Sequence, residues 1–115
     1  MSHNYLIAGN VTDNSGNPLP GLTVKAFDVD FLSEDDFLGQ GVTAFDGSFT
    51  ILYRQQQFVK SVVESFTEGG PDLVLTIFNP AGKLLHTTKR RSGGERFEKY
   101  VVILDLGSLS SDFES

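Results

Sequence analysis

NPLPGLTVKAFDVDFLSEDDFLGQGVTAFDGSFTILY, residues Asn17 to Tyr53, decides the fold. It reads as turn, strand, acidic loop, strand, tight turn, strand. Leu22, Val24 and Ala26 alternate with Thr23 and Lys25, the period-two pattern of a half-buried strand over Leu22–Asp30. Leu38–Ala44 is a further strand. Asp46-Gly47 is a strong hairpin turn, because glycine supplies the positive φ that such turns need. Phe49, Ile51 and Tyr53 then share one face of the next strand, Ser48–Tyr53.

The same pattern extends outward. Tyr5–Val11 is a first strand with Tyr5, Ile7 and Val11 on one face, and Asp13–Gly21 is dense in turn formers. Leu73–Phe78 (LVLTIF) is nearly all apolar and reads as a central strand buried on both faces. Asn79–Gly82 is a hairpin turn with Lys83–Thr88 as its return strand, and Phe97–Leu106 is the last strand. Between them, Arg54–Glu68 breaks the alternation. Phe58, Val62 and Phe66 recur at four-residue spacing, which allows at most one short helix near 56–66 or a loop anchored by phenylalanines. Seven short strands at this spacing predict an all-β, antiparallel two-sheet sandwich. Its extent is 1–107, with 108–115 a polar tail. Met1 and that tail read as the two ends of a complete small protein.

Composition narrows the function classes. A chain of 115 residues forms one domain with one core. Twelve glycines and four prolines suit a fold with many turns, and the absence of cysteine removes disulfides and thiolate chemistry. No apolar run is long enough to span a bilayer, so membrane insertion is not expected. MSHNYLIAGNV has neither the basic start nor the apolar length of a signal peptide, which predicts a cytoplasmic product. Net charge is −6, whereas nonspecific nucleic-acid binding needs an excess of cations.

The mean charge conceals a segregation. Asp28, Asp30, Glu34, Asp35 and Asp36 cluster in one stretch, and Lys83, Lys89, Arg90, Arg91, Arg96 and Lys99 in another. Asp28 and Asp30 project to the same side of a continuing strand, and Asp35 and Asp36 lie across the loop. Several carboxylates with loop carbonyls are the donor set that Ca2+ takes. Asp28, Asp30, Asp35 and Asp36 are therefore the candidate metal ligands, set against an ordinary role in capping loop backbone or solvating an edge. The spacing is not that of an EF-hand loop. In the basic loop KRRSGGER, Lys89, Arg90, Arg91 and Arg96 are candidate contacts for an acidic protein partner. The bland alternative is a solvated hairpin tip. Its glycines do not open a helix after a strand, so it is no phosphate-binding loop. Edge strands of a sandwich add a route to homo-oligomers or strand addition.

The order of these segments is more specific than any one of them. A G-x-V opening strand precedes a P-L-x-G turn, a strand ending Phe-Asp-x-Asp and a D-D-x-L-G step. A T-x-x-D-G-x-F hairpin and P-D-L-x-L-x-I-x-x-x-x-G-K follow, so that Leu6–Leu85 resembles transthyretin-like (prealbumin-like) domains. The resemblance extends to domains that accompany bacterial toxin-complex subunits and contractile-injection or type VI spike proteins. Carboxypeptidase regulatory-like domains are related. It implies a non-catalytic interaction module: a tip, adaptor or cargo-attachment domain, delivered outside the cell by a dedicated machine. No cofactor follows from it.

One enzymatic branch of that superfamily hydrolyses 5-hydroxyisourate, using paired histidines, an arginine and a C-terminal Tyr-Arg-Gly-Ser. Here the end is DLGSLSSDFES, and His3 and His86 have no partner motif, so this activity stays a remote alternative. The isopeptide chemistry of pilin-type sandwiches is equally remote, since Lys25 points off the apolar face and the last strand has no asparagine.

Overall fold

The computed structural model describes residues 4–29, 34–58 and 70–106. Seven strands follow in order: β1 (Asn4–Asp13), β2 (Thr23–Asp28), β3 (Asp36–Val42), β4 (Ser48–Arg54), β5 (Leu73–Phe78), β6 (Leu84–Thr87) and β7 (Phe97–Leu104). They form two sheets, β4-β1-β7 and β3-β2-β5-β6, so the expected all-β sandwich is present. All pairings are antiparallel except β1 with β7, whose ladder runs parallel from Leu6↔Phe97 to Asp13↔Leu104.

The core lies between the sheets and is filled by the alternating residues of both. Tyr5, Ile7 and Val11 of β1 meet Phe49, Ile51 and Tyr53 of β4 and Tyr100, Val102 and Leu104 of β7 on one side. Val24, Ala26, Leu38, Leu73, Leu75 and Ile77 supply the other. Each fully buried Leu, Ile or Val of this set contributes about 1.5–3 kcal/mol relative to exposure. At one end, Tyr5 stacks on Tyr53 at 5.1 Å, and Phe58 meets the Tyr5 ring edge-on at 5.3 Å.

Three local expectations change on inspection. The Asp46-Gly47 turn forms, with Gly47 at φ 81° and the Ala44 N–H donating to the Ser48 carbonyl at 2.8 Å. The strands it joins part immediately, however. β3 pairs with β2 and β4 with β1, so the turn links the two sheets. The reason lies in β3: a Cβ on Gly41 would strike the Thr50 backbone carbonyl, so the missing side chain lets β4 pass closely over β3. Second, β5 is central in its sheet but only its inner face is fully buried. Val74, Thr76 and Phe78 are half-covered by in-sheet neighbours such as Lys25, whose Nζ lies 4.9 Å from the Phe78 ring. Third, the segment after β4 starts as a 3₁₀ turn, Gln55–Gln57, held by Gln57 Nε2 donating to the Leu38 carbonyl at 2.6 Å. Phe58 is core, as its place in the stripe suggested, while Val62 and Phe66 lie outside the described residues.

Candidate functional site

The two charged regions, far apart in sequence, arrive at the same end of the larger sheet. In the ladders, Asp28 stands opposite Asp36 on one side and Leu73 on the other. Leu73 in turn exchanges both backbone hydrogen bonds with Arg91 at 2.9 Å. Asp72 is the hub. Its N–H donates to Asp28 Oδ1 at 2.9 Å, its own Oδ1 accepts the Gly93 N–H at 3.0 Å, and its Oδ2 pairs with the Arg90 guanidinium. The sequence reading did not single out Asp72. The signal available was its place in P-D-L, directly before a strand and across from the acidic stretch.

Of the four proposed metal ligands, Asp28 is committed to that backbone N–H, Asp36 sits across from it in register and Asp35 is exposed. Asp30 lies outside the described residues. Among the described residues no three His, Cys, Asp or Glu side chains come together.

The basic loop is pinned, not a free hairpin tip. It joins β6, an edge of one sheet, to β7, an edge of the other. Buried Gly94 donates its N–H to the Pro71 carbonyl at 2.7 Å. Arg91 lies over the Tyr100 ring at 3.9 Å and donates to Glu98 Oε1 at 2.9 Å and to the Lys99 carbonyl at 3.1 Å. Arg96 Nε reaches the Asn4 carbonyl at 3.4 Å, and Lys89 is exposed. Burial raises the Tyr100 phenol above its ordinary value, partly opposed by the positive charge of Arg91.

The open side of the sandwich runs between β6 and β7. A groove of about 320 Å3 lies there, lined by His86 and Thr88 from the β6 side, by Lys89, Arg90 and Arg91, and by Tyr100–Ile103 of β7. Among the described residues no carboxylate lines it, although Arg90 and Arg91 are each paired with one beside it.

The outer face of β4-β1-β7 is a second feature that the sequence reading missed. Leu52 (73% exposed), Phe97 (57%), Val101 (65%) and Ile103 (61%) share it with half-buried Leu6 and Ala8. Register places Leu52, Leu6 and Phe97 in one row across the three strands. The signal was in the sequence: both residue sets of YVVIL are apolar, so whichever face is inward, the other stays greasy.

No protein-family model and no curated protein matches the chain. Solved structures do match in fold. A 9R-lipoxygenase from Cyanothece PCC8801 is similar over 89% of this chain at 21% identity with a TM-score of 0.57, and the match takes up 16% of that chain. The dioxygenase domain of a dioxygenase–carbohydrate-binding protein fusion from Streptomyces sp. SirexAA-E is similar over 89% of this chain and 79% of its own, at 19% identity and TM-score 0.52. Chlorocatechol 1,2-dioxygenase from Pseudomonas putida is similar over 90% of this chain and 61% of its own, at 9% identity and TM-score 0.52. Identities this low show a shared sandwich fold. Among the described residues no helix is long and apolar enough to cross a membrane.

Proposed function

We propose that this chain is a non-enzymatic protein-interaction module that docks through the outer face of β4-β1-β7. The observation that carries the reading is that face itself, where Leu52, Phe97, Val101 and Ile103 are each more than half exposed, Leu52 and Phe97 flanking Leu6 in one row and Val101 and Ile103 lying beyond the row of Thr50, Ala8 and Lys99. Large apolar side chains gathered in the open on one sheet face mark an interaction surface. The fold also occurs as a small portion of a larger protein, since the lipoxygenase match occupies 16% of that chain. The partner is another folded protein that covers the patch. A tip, adaptor or cargo-attachment role in a bacterial toxin-delivery or contractile injection assembly rests on the sequence resemblance. The dioxygenase names of two structural neighbours bring no substrate with them, because the likeness is one of fold.

The test is site-specific photo-crosslinking in the producing cells from position 52 or 103, with position 14 in the exposed first turn as control. The expected result is the same discrete adduct from 52 and 103, none from 14, and its loss when Val101 is changed to Lys. Adducts that are diffuse, or equal from all three positions, would overturn the reading.

A further inference from the structure

Strand β7 carries a second, more selective surface at its free edge. The Leu6 N–H donates to the Arg96 carbonyl at 2.8 Å and Leu6 is the register partner of Phe97. In a parallel ladder this fixes the parity: even-numbered residues of β7 bond to β1, and odd-numbered residues turn their N–H and C=O groups away from it. The Lys99 carbonyl fits that parity, since it accepts the Arg91 side chain. Among the described residues no strand pairs with the other side of β7. Val101 and Ile103 therefore hold out backbone donors and acceptors beside the groove that Lys89, Arg90 and Arg91 line, with their own side chains on the outer face. The opposite side of the sandwich has no such opening, because β3 and β4 close it.

We infer that this edge binds an extended acidic segment of a partner protein by strand addition. The inference deepens the interaction-module reading and rests on it. A strand laid beside Val101 and Ile103 alternates its side chains between two faces. One set lies with Val101 and Ile103 on the outer face and is best apolar. The other set points over the groove, where Lys89 is exposed and Arg90 and Arg91 are already paired with Asp72 and Glu98, so that Asp or Glu suits the position facing Lys89. Backbone hydrogen bonds supply pairing, and the alternation supplies selectivity. A second copy of this chain, paired β7 to β7, is the competing occupant that sedimentation separates from an acidic segment.

The experiment uses the full chain and two blocked peptides of about ten residues, an ordinary length for strand addition. One alternates Val or Ile with Asp or Glu, and the other carries Lys at every acidic position. Binding is read by fluorescence anisotropy and by amide hydrogen exchange. The acidic peptide should bind at least about tenfold tighter than its lysine twin, weaken steeply with salt, and slow exchange at the Val101 and Ile103 amides. Val101→Pro removes one outward N–H without touching the β1 ladder and should abolish binding, while Lys89→Glu, on an exposed side chain, should weaken it with the melting temperature unchanged. Equal binding of both peptides, protection elsewhere, no binding, or dimerisation of the chain through β7 in sedimentation would overturn the inference. Failure here with an intact crosslink at position 52 leaves the module reading standing; loss of both removes it as well.

Discussion

The Asp28 carboxylate accepts the Asp72 N–H at 2.9 Å, tying the end of β2 to the start of β5 across 44 residues of sequence. Asp72 then uses its own carboxylate on Arg90 and the Gly93 N–H, so Asp28 and Asp72 in series hold the loop that carries Arg90 and Arg91. Asp28→Ala should destabilise the fold by about 1.5–3 kcal/mol, the range for a hydrogen bond to a charged acceptor. Urea denaturation followed by circular dichroism checks this. An unchanged midpoint would show the contact to be idle.

Thr43 is a buried polar residue whose hydroxyl works in both directions. It donates to the Leu19 carbonyl at 2.6 Å and accepts the Leu22 N–H at 2.9 Å. It thereby fastens the P-L-P-G turn to the end of β3. Thr43→Val keeps the shape and strands one buried and one part-buried backbone group, which should cost about 2 kcal/mol. Thr43→Ser should recover most of it, and a serine variant as weak as the valine one would place the effect in packing.

Gly41 marks the closest approach of the two sheets. Gly41→Ala puts a methyl group against the Thr50 carbonyl, and backbone has little room to yield. A loss of about 1–3 kcal/mol is expected, typical of overpacking. A melting temperature equal to that of the parent chain would refute the close seam.

Acid should weaken the protein through its turns. Hydrogen bonds from Asn17 hold the Asp13 carboxyl below its ordinary value, and those from Ser48 do the same for Asp46. A folded value below the unfolded one means that the stabilisation is complete above the unfolded value of 3.8 and is lost as pH falls through the folded value. The midpoint in urea should thus be level near neutrality and fall below about pH 4. Asp13→Asn and Asp46→Asn should each flatten that fall, and an unaltered acid limb in both variants would assign it to other carboxylates.

Tyr53 offers a stabilising change. Burial raises its phenol far above the ordinary value, and its hydroxyl reaches no hydrogen-bond partner among the described residues. Tyr53→Phe removes that hydroxyl and keeps the ring on Tyr5, for an expected gain of about 1 kcal/mol. Because the folded value is raised, stability also drains away above pH 10, where the unfolded tyrosine ionises, and the variant should lose less there. A Tyr53→Phe chain less stable at neutral pH would reveal a partner for that oxygen.

The strands were legible because each obeys one local rule: a period of two, broken by Gly, Asn or Pro. Tyr5-Ile7-Val11, Val24-Ala26 and Phe49-Ile51-Tyr53 all point inward as their spacing dictates. Sheet membership was not legible, because it depends on contacts distant in sequence. The turn at Gly47 looks the same whether its strands pair or part, and the room that Gly41 leaves for the Thr50 backbone appears only once both sheets are in place. The charged residues were found but their company was not. Arg90, Arg91 and Arg96 were visible as a basic run, while two of their anchors, Asp72 and the Asn4 carbonyl, lie outside it, and Glu98, seven residues from Arg91, is brought back to it by the loop.

The parallel ladder of β1 and β7 carries a mechanical consequence. Eight register pairs join the first strand to the last, from Leu6↔Phe97 to Asp13↔Leu104. Chain entering at Asn4 and chain leaving at Leu104 therefore depart from opposite ends of that ladder, roughly 25 Å apart at about 3.3 Å per residue. Tension applied along the polypeptide loads all of those hydrogen bonds together in shear and cannot peel them one by one.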